Sequence, residues 1–185
     1  MNTKLKGDIA EQAAILSALE RGWEVLTPLG DRLPYDMVFD VTGSLVKIQV
    51  KCAWFDKASH NYVVDVRQTK TNRRLMLRKL YQPTDFDFAL VYVPKQDIFY
   101  VFPVNVFISY GSSVYLAEAT ARQRKPKSAT YRDAWNLISQ WAAKRAISLR
   151  HSSNSGKPPA VVIPSQPLVK VFGRPALPKL QLRKV

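Results

Sequence analysis

The chain has 185 residues, 46% of them hydrophobic and 23% charged, with a formal net charge of +14; that length suits one domain with a real core, with or without an appendage. No apolar run approaches the roughly 20 residues of a membrane span, and Met1 to Gly7 lack the apolar stretch of a secretory signal. A single cysteine, Cys52, excludes an internal disulfide, and with only His60 and His151 beside it a structural zinc site is excluded too, so a reducing cytoplasm is the expected compartment.

In chain order, residues 6–21 read as a helix. Ile9, Ala13, Leu16 and Leu19, with Ala10 and Ile15 beside them, form an apolar stripe at helical spacing. Asp8 is expected in the first turn, where negative charge suits the helix dipole, and Gly22 as the stop. Strands are expected at Trp23 to Leu29, Pro34 to Val41, Ser44 to Trp54 and Tyr62 to Val66. Asp85 to Pro94 and Ile98 to Val104 read as a hairpin turning at Lys95-Gln96-Asp97. Residues 129–147 carry Trp135, Ile138, Trp141 and Ala142 at three- and four-residue steps and predict a C-terminal helix.

From Arg150 the composition changes. A Ser/Asn/Gly linker comes first, and then six of the twelve prolines fall between Pro158 and Pro178. Proline at that density removes backbone donors and defeats helix and sheet. The expected organisation is a domain over 1–149 and a basic, extended, disordered tail over 150–185.

Charge is distributed unevenly. Residues 1–121 hold 14 bases against 13 acids, whereas 122–185 hold 14 bases against Asp133 alone. Arg67, Lys70, Arg73, Arg74, Arg78 and Lys79 form a cluster without an acid, and Arg122, Arg124, Lys125 and Lys127 form another. Such clustering is the footprint of a polyanion partner, because each neutralised phosphate releases condensed counterions. These residues, with Asn72 in the first cluster, are the candidate nucleic-acid surface, with a solvated basic surface that aids solubility as the competing reading.

The sharpest inference comes from Thr42-Gly43 read as a tight turn. That turn puts Asp36 opposite Gln49, with Cβ atoms about 4.5–5.5 Å apart. Tyr35, Met37, Phe39 and Val41 then share an apolar face with Val46, Ile48, Val50, Cys52 and Trp54, while Asp36 and Asp40 share the other face with Lys47, Gln49 and Lys51. A slip of one residue would scramble this segregation. Asp36 offers a charged oxygen to a hard cation, Gln49 and a backbone carbonyl near Val50 offer neutral ones, and Lys51 can stabilise charge building on phosphorus. An ordinary solvated hairpin face is the competing reading of the same residues. Asp40 reads better as a hairpin-end acid, Cys52 as core, the tryptophans as packing, and Asp85 and Asp87 as caps or solvent-facing acids. His60-Asn61 lacks the partner His of an HNH nuclease.

Gly7-Asp8-Ile9-Ala10-Glu11 on a helix, Tyr35-Asp36 on a strand and Gln49-Val50-Lys51 on the next resemble the PD-(D/E)XK nuclease core. More closely they resemble its bacterial, group I intron-associated homing endonucleases. The likeness runs through Gly30 to Leu33, Thr71 to Arg74, Asp85 to Ala89, Tyr100 to Val104, Phe107 to Gly111 and Arg122 to Pro126. The resemblance implies an α/β (α+β) fold with an αβββαβ-type mixed sheet flanked by helices. It also implies sequence-specific double-stranded DNA cleavage with Mg²⁺, Mn²⁺ being a substitute, and a homo-oligomer, dimer or tetramer, in the bacterial cytoplasm at the nucleoid. It places Glu11, Asp36, Gln49 and Lys51 on the catalytic positions, with Asp36, Gln49 and Glu11 toward the metal. Two departures stand out: Pro34 lies one place early, before Tyr35-Asp36, and Gln49 replaces the usual second acid. Archaeal Holliday-junction resolvases share the Gly-x-x-x-Glu, Asp, Glu-x-Lys order and are the alternative within the nuclease class. A catalytically silent DNA-binding protein on the same fold is the alternative outside it.

Overall fold

Asn2 starts the first helix: its side-chain oxygen accepts the Lys4 N–H at 3.0 Å and caps α1 (Thr3–Leu19). The computed structural model describes residues 2–30, 32–72, 75–116, 118 and 126–154. α1 therefore begins earlier than expected, and its first turn holds no acid. The expected apolar stripe faces the core only in part: Ala10 is buried and Ala13 and Ile15 pack against the core, while Ile9, Leu16 and Leu19 turn outward. Leu16 is 59% exposed and Leu19 52%, whereas Ala10, Ala14 and Ala18 are fully buried. Alanines four residues apart let the helix backbone come close to the sheet, which a leucine stripe would hold away.

The central sheet has the order β1-β2-β3-β8-β9, from β1 (Glu24–Leu26), β2 (Met37–Val41), β3 (Ser44–Cys52), β8 (Phe88–Val93) and β9 (Ile98–Pro103). Neighbours are antiparallel except β3 and β8, which are parallel, so the sheet is mixed. Thr42 (φ 52°) and Gly43 (φ 86°) both adopt left-handed backbone, as a two-residue hairpin turn with right-handed strand twist requires. Asp40 Oδ1 accepts the Gly43 N–H at 2.7 Å, so this acid belongs to the turn. Met37 pairs with Ile48 and Val41 with Ser44, the register expected from the sequence.

The two faces of that hairpin separate largely as expected. Met37, Phe39, Val41, Val46, Ile48 and Val50 join Ala10, Ala14 and Ala18 in one core, completed by Trp135, Ile138 and Ala142 of α3 (Asn136–Asn154). Tyr35 departs from the expectation. It packs against the second core on the opposite face, because the chain bends over residues 33–36 before β2 begins. Trp54 also leaves the apolar face and is half-exposed in the short β4 (Trp54–Asp56). Cys52 packs against the first core.

Between the parallel strands β3 and β8 the described residues make no helix. It builds β4, β5 (Asn61–Asp65), β6 (Gln68–Asn72) and β7 (Leu75–Lys79) instead. β5 sits between β4 and β10 (Ser113–Leu116) in a three-stranded sheet, and β6 and β7 pair only with each other. That small sheet and α2 (Val104–Ser109) contribute Tyr62, Val64, Phe107, Val114 and Leu116 to the second core. With both faces covered, all six residues of β8 are buried, which explains why Phe88 to Val93 reads as an unbroken apolar run.

The expected helix over 129–147 divides into a 3-10 turn (Lys127–Tyr131) and α3. Asp133, with φ 47°, breaks the path between them, and its Oδ1 accepts the Phe99 N–H at 3.1 Å. α3 continues to Asn154, so residues 150–154, expected in the tail, have helical backbone. Residues 155–185 lie outside the described residues. Among the described residues, no helix is long and apolar enough to cross a membrane.

Candidate active site

β2 leaves the ladder at Met37, opposite Ile48, while β3 runs on to Cys52. Asp36 sits at this fork. Its N–H donates to the Ile48 carbonyl at 2.9 Å, and its carboxylate bends back onto β3. Oδ2 accepts the Val50 N–H at 2.7 Å and Gln49 Nε2 at 2.5 Å, so the side chain takes the place of a strand partner. Gln49 Nε2 also donates to the Val50 carbonyl at 3.1 Å. Both of these bonds to Asp36 fall on Oδ2 and neither on Oδ1. Burial pushes the Asp36 carboxyl above its ordinary value, against the opposing pull of the Val50 N–H, the Lys51 ammonium and the Gln49 amide.

Lys51 follows two residues after Gln49 and therefore projects from the same face of β3. Its Nζ donates to the Arg67 carbonyl at 3.2 Å and lies 5.1 Å from the centre of the Tyr81 ring. Burial lowers the pKa of this ammonium, while the charges of Asp36 and Asp65 oppose the shift. Glu11 comes from α1, about 100° around the helix from the buried Ala10. Burial raises its carboxyl, and the charges of Asp36 and then Asp8 raise it further. The four residues expected to act together thus share one site at the open end of the β2–β3 hairpin. No group of three or more His, Cys, Asp or Glu gathers among the described residues. The hard donors here are two carboxylates, an amide and a main-chain carbonyl.

The expected DNA surface is placed only in part. The backbones of Lys70 and Asn72 lie in β6, and Arg78 and Lys79 are exposed on β7. Arg73, Arg74, Arg122, Arg124 and Lys125 lie outside the described residues. Lys127 is exposed at the start of the 3-10 turn. Arg67 is committed within the chain: its Nε lies 2.9 Å from Asp65 Oδ1. Asp87 is likewise engaged, its Oδ2 accepting the Lys47 N–H at 2.8 Å, and Asp85 Oδ2 caps the Gln82 N–H at 2.9 Å.

Two neighbours of Lys51 escaped the sequence reading. Tyr81 is buried against it, and burial holds its phenol well above the ordinary value. Asp65 sits beside the Arg67 bend. Its one sequence signal is that it is the sole acid between Asp56 and Asp85, immediately before a basic stretch.

Residues 1–138 match the PD-(D/E)XK endonuclease family. A search of curated proteins found no match. Among solved structures, the bacterial homing endonuclease I-Ssp6803I is 59% identical over 79% of this chain and 99% of its own, with a TM-score of 0.75. MepB, at 13% identity and a TM-score of 0.39 over 72% of this chain and 93% of its own, is too remote to inform fold or function. With residues 1–138, three quarters of its length, matched by the family and a solved bacterial homing endonuclease 59% identical to it, the chain belongs to the PD-(D/E)XK endonuclease family.

Proposed function

We propose that this endonuclease is a sequence-specific homing enzyme of the group I intron type, which cuts both strands of DNA by Mg²⁺-assisted hydrolysis, with Mn²⁺ as a substitute. The observation that carries the reading is the fork itself. There Asp36, Gln49 and Lys51 meet on one side of β3 and Glu11 faces them from α1. The likeness to a bacterial homing endonuclease supports it.

The residues fit a hard cation. Glu11 and Asp36 are both carboxyls whose charged forms are disfavoured by burial, and Glu11 is further disfavoured by its neighbour's charge. A divalent ion relieves that situation, and Asp36, Glu11 and the Gln49 amide oxygen are the groups that would hold it. When bound, Mg²⁺ supplies Lewis-acid pull on the scissile phosphate and acidifies water beside it. The chain itself supplies the rest. The Lys51 ammonium stabilises negative charge building on the phosphoryl oxygens. The Val50 N–H and the Gln49 amide fix the Asp36 carboxylate through Oδ2, so that Oδ1 is the oxygen it would offer to the cation. The isolated β6–β7 ribbon carries Lys70, Arg78 and Lys79 and suits the major groove, which admits a two-stranded ribbon.

The described residues form one such site, and cutting both strands in one event takes two, so a homo-oligomer of two or four is part of the proposal. The test is incubation of the purified protein with supercoiled plasmid, linear duplex and four-way junction DNA, in Mg²⁺ and in chelator. Metal-dependent linearisation of duplex is expected. Cleavage confined to the junction would make it a resolvase, and binding without cleavage would make it a silent DNA-binding protein.

A further inference from the structure

We propose that Asp65 is a positioning residue for Lys51, acting through the main-chain carbonyl of Arg67; the inference rests on Lys51 being part of the active site.

Lysine carries three donors on a flexible four-carbon stem and does not orient itself. The Lys51 ammonium is partly buried, and its hydrogen bond goes to the carbonyl oxygen of Arg67 at 3.2 Å. What places that oxygen is the bend from β5 into β6. The Arg67 N–H donates to Asp65 Oδ1 at 2.8 Å, Nε donates to the same oxygen at 2.9 Å, and a terminal guanidinium N–H donates to Oδ2 at 3.1 Å. One carboxylate thus binds the main chain and the side chain of a residue two places on, which locks the bend. The Val66 N–H, between them, is pinned to the Ser112 carbonyl at 2.9 Å. Arg78 of β7 lies 4.0 Å from the same carboxylate, so Asp65 contacts both the residue that leads into β6 and one on β7.

The arrangement runs in one direction. Asp65 fixes the bend, the bend aims the Arg67 carbonyl, and the carbonyl holds Lys51 beside Asp36. An error of about 1 Å at such a group costs on the order of 100-fold in rate. Asp65 does not touch the reacting atoms in this scheme. It makes the position of Lys51 independent of solvent and dependent on the root of the ribbon.

The test uses the full chain with Asp65→Ala, Asp65→Asn and Asp65→Glu. The lysine ¹³Cε signal of Lys51, assigned by its absence in Lys51→Ala, is read at one fixed pH. It should stand apart from the exposed lysines in the parent, merge with them in Asp65→Ala, and return toward the parent position in Asp65→Glu. On supercoiled plasmid with Mg²⁺, the rate at saturating DNA should fall roughly 10- to 100-fold in Asp65→Ala, with the half-saturating DNA concentration changed less than about threefold. Should the alanine variant fail to fold, Asp65→Asn, which keeps an acceptor for the Arg67 N–H but loses the paired grip on the guanidinium, should shift the Lys51 signal and the rate in the same direction by a smaller amount. A Lys51 signal that does not move overturns the proposal even if no DNA is cut. So does a loss confined to half-saturation, which would make the Asp65 cluster a DNA-contact support only. Parent-like cleavage by Lys51→Ala would instead sink the active-site reading, whatever Asp65 does.

Discussion

Gln49 meets Asp36 as a hydrogen-bond donor, with Nε2 2.5 Å from Oδ2 across the mouth of the β2–β3 hairpin. The PD-(D/E)XK pattern has an acid at that position, and a carboxylate there would face Asp36 as a like charge. The amide replaces repulsion with a bond, and leaves metal binding to fewer charges.

Gln49→Glu should therefore trade stability for metal affinity. In chelator the variant loses a charge-assisted bond and gains a like charge beside a buried carboxylate, at a cost of about 1–3 kcal/mol. Titration with Ca²⁺ or Mn²⁺ should show tighter binding than in the parent. Weaker binding by the Glu variant would place Gln49 outside the metal's reach.

Burial holds the Asp36 carboxyl above its ordinary value, so the folded protein takes up this proton more readily than the unfolded chain. Its contribution to stability therefore falls as pH rises from the ordinary carboxylate value through the raised one. Asp36→Asn should raise the metal-free melting temperature at pH 7 by about 2–4 °C, on the order of 1 kcal/mol for a domain of this size. The gain should shrink toward the ordinary value at acid pH, and Mg²⁺ should raise the parent's midpoint but not the variant's. Thermal melts across pH, with and without metal, check all three. A variant that melts lower at pH 7 would mean that the bonds from Val50 and Gln49 outweigh the cost of burial.

Lys51→Ala and Asp36→Ala should each lower cleavage by at least about 100-fold while leaving DNA binding nearly intact, since neither residue lies in the basic clusters. Gel-shift affinity alongside plasmid cleavage separates the two effects. Parent-like cleavage by either variant would move the active site elsewhere.

On α1, Ala14→Leu should destabilise the domain by about 1–3 kcal/mol by forcing the helix off β3. Leu16→Ala should stay within about 0.5 kcal/mol in the monomer, because that side chain faces outward. Denaturant midpoints of the two variants decide whether the alanine face or the leucine face meets the sheet. A larger loss for Leu16→Ala at high than at low protein concentration would mark the outward face as a contact between copies.

Removing residues 155–185 takes away Lys157, Lys170, Arg174, Lys179, Arg183 and Lys184 and no acid. The domain should remain folded, and DNA affinity should fall alike for target and random sequences. The salt dependence should flatten by about 0.9 per lost phosphate contact. Binding at two salt concentrations, with light scattering, checks this. A truncated protein that becomes monomeric with an unchanged salt slope would assign the segment to assembly.

What the sequence by itself determined was local. The Thr42-Gly43 turn, the alternation on either side of it and the resulting register from Met37↔Ile48 to Val41↔Ser44 all follow from short-range backbone geometry, and the structure has them as read. So does the hairpin at Lys95 to Asp97, flanked by Phe88 to Val93 and Ile98 to Pro103. The family motif was legible for the same reason, since its acid, amide and lysine lie on one such hairpin. The side of α1 that turns inward was not legible, because leucines and alanines both make apolar stripes. Only the distance of approach to β3 chooses the smaller side chains. Nor could spacing reveal that the stretch around the expected strand Tyr62 to Val66 folds as β4 to β7 and brings Arg67 and Tyr81 to Lys51. Local periodicity reports which residues share a face. Which face is buried, and what distant segment meets a partly buried lysine, depend on how the chain closes over the sheet.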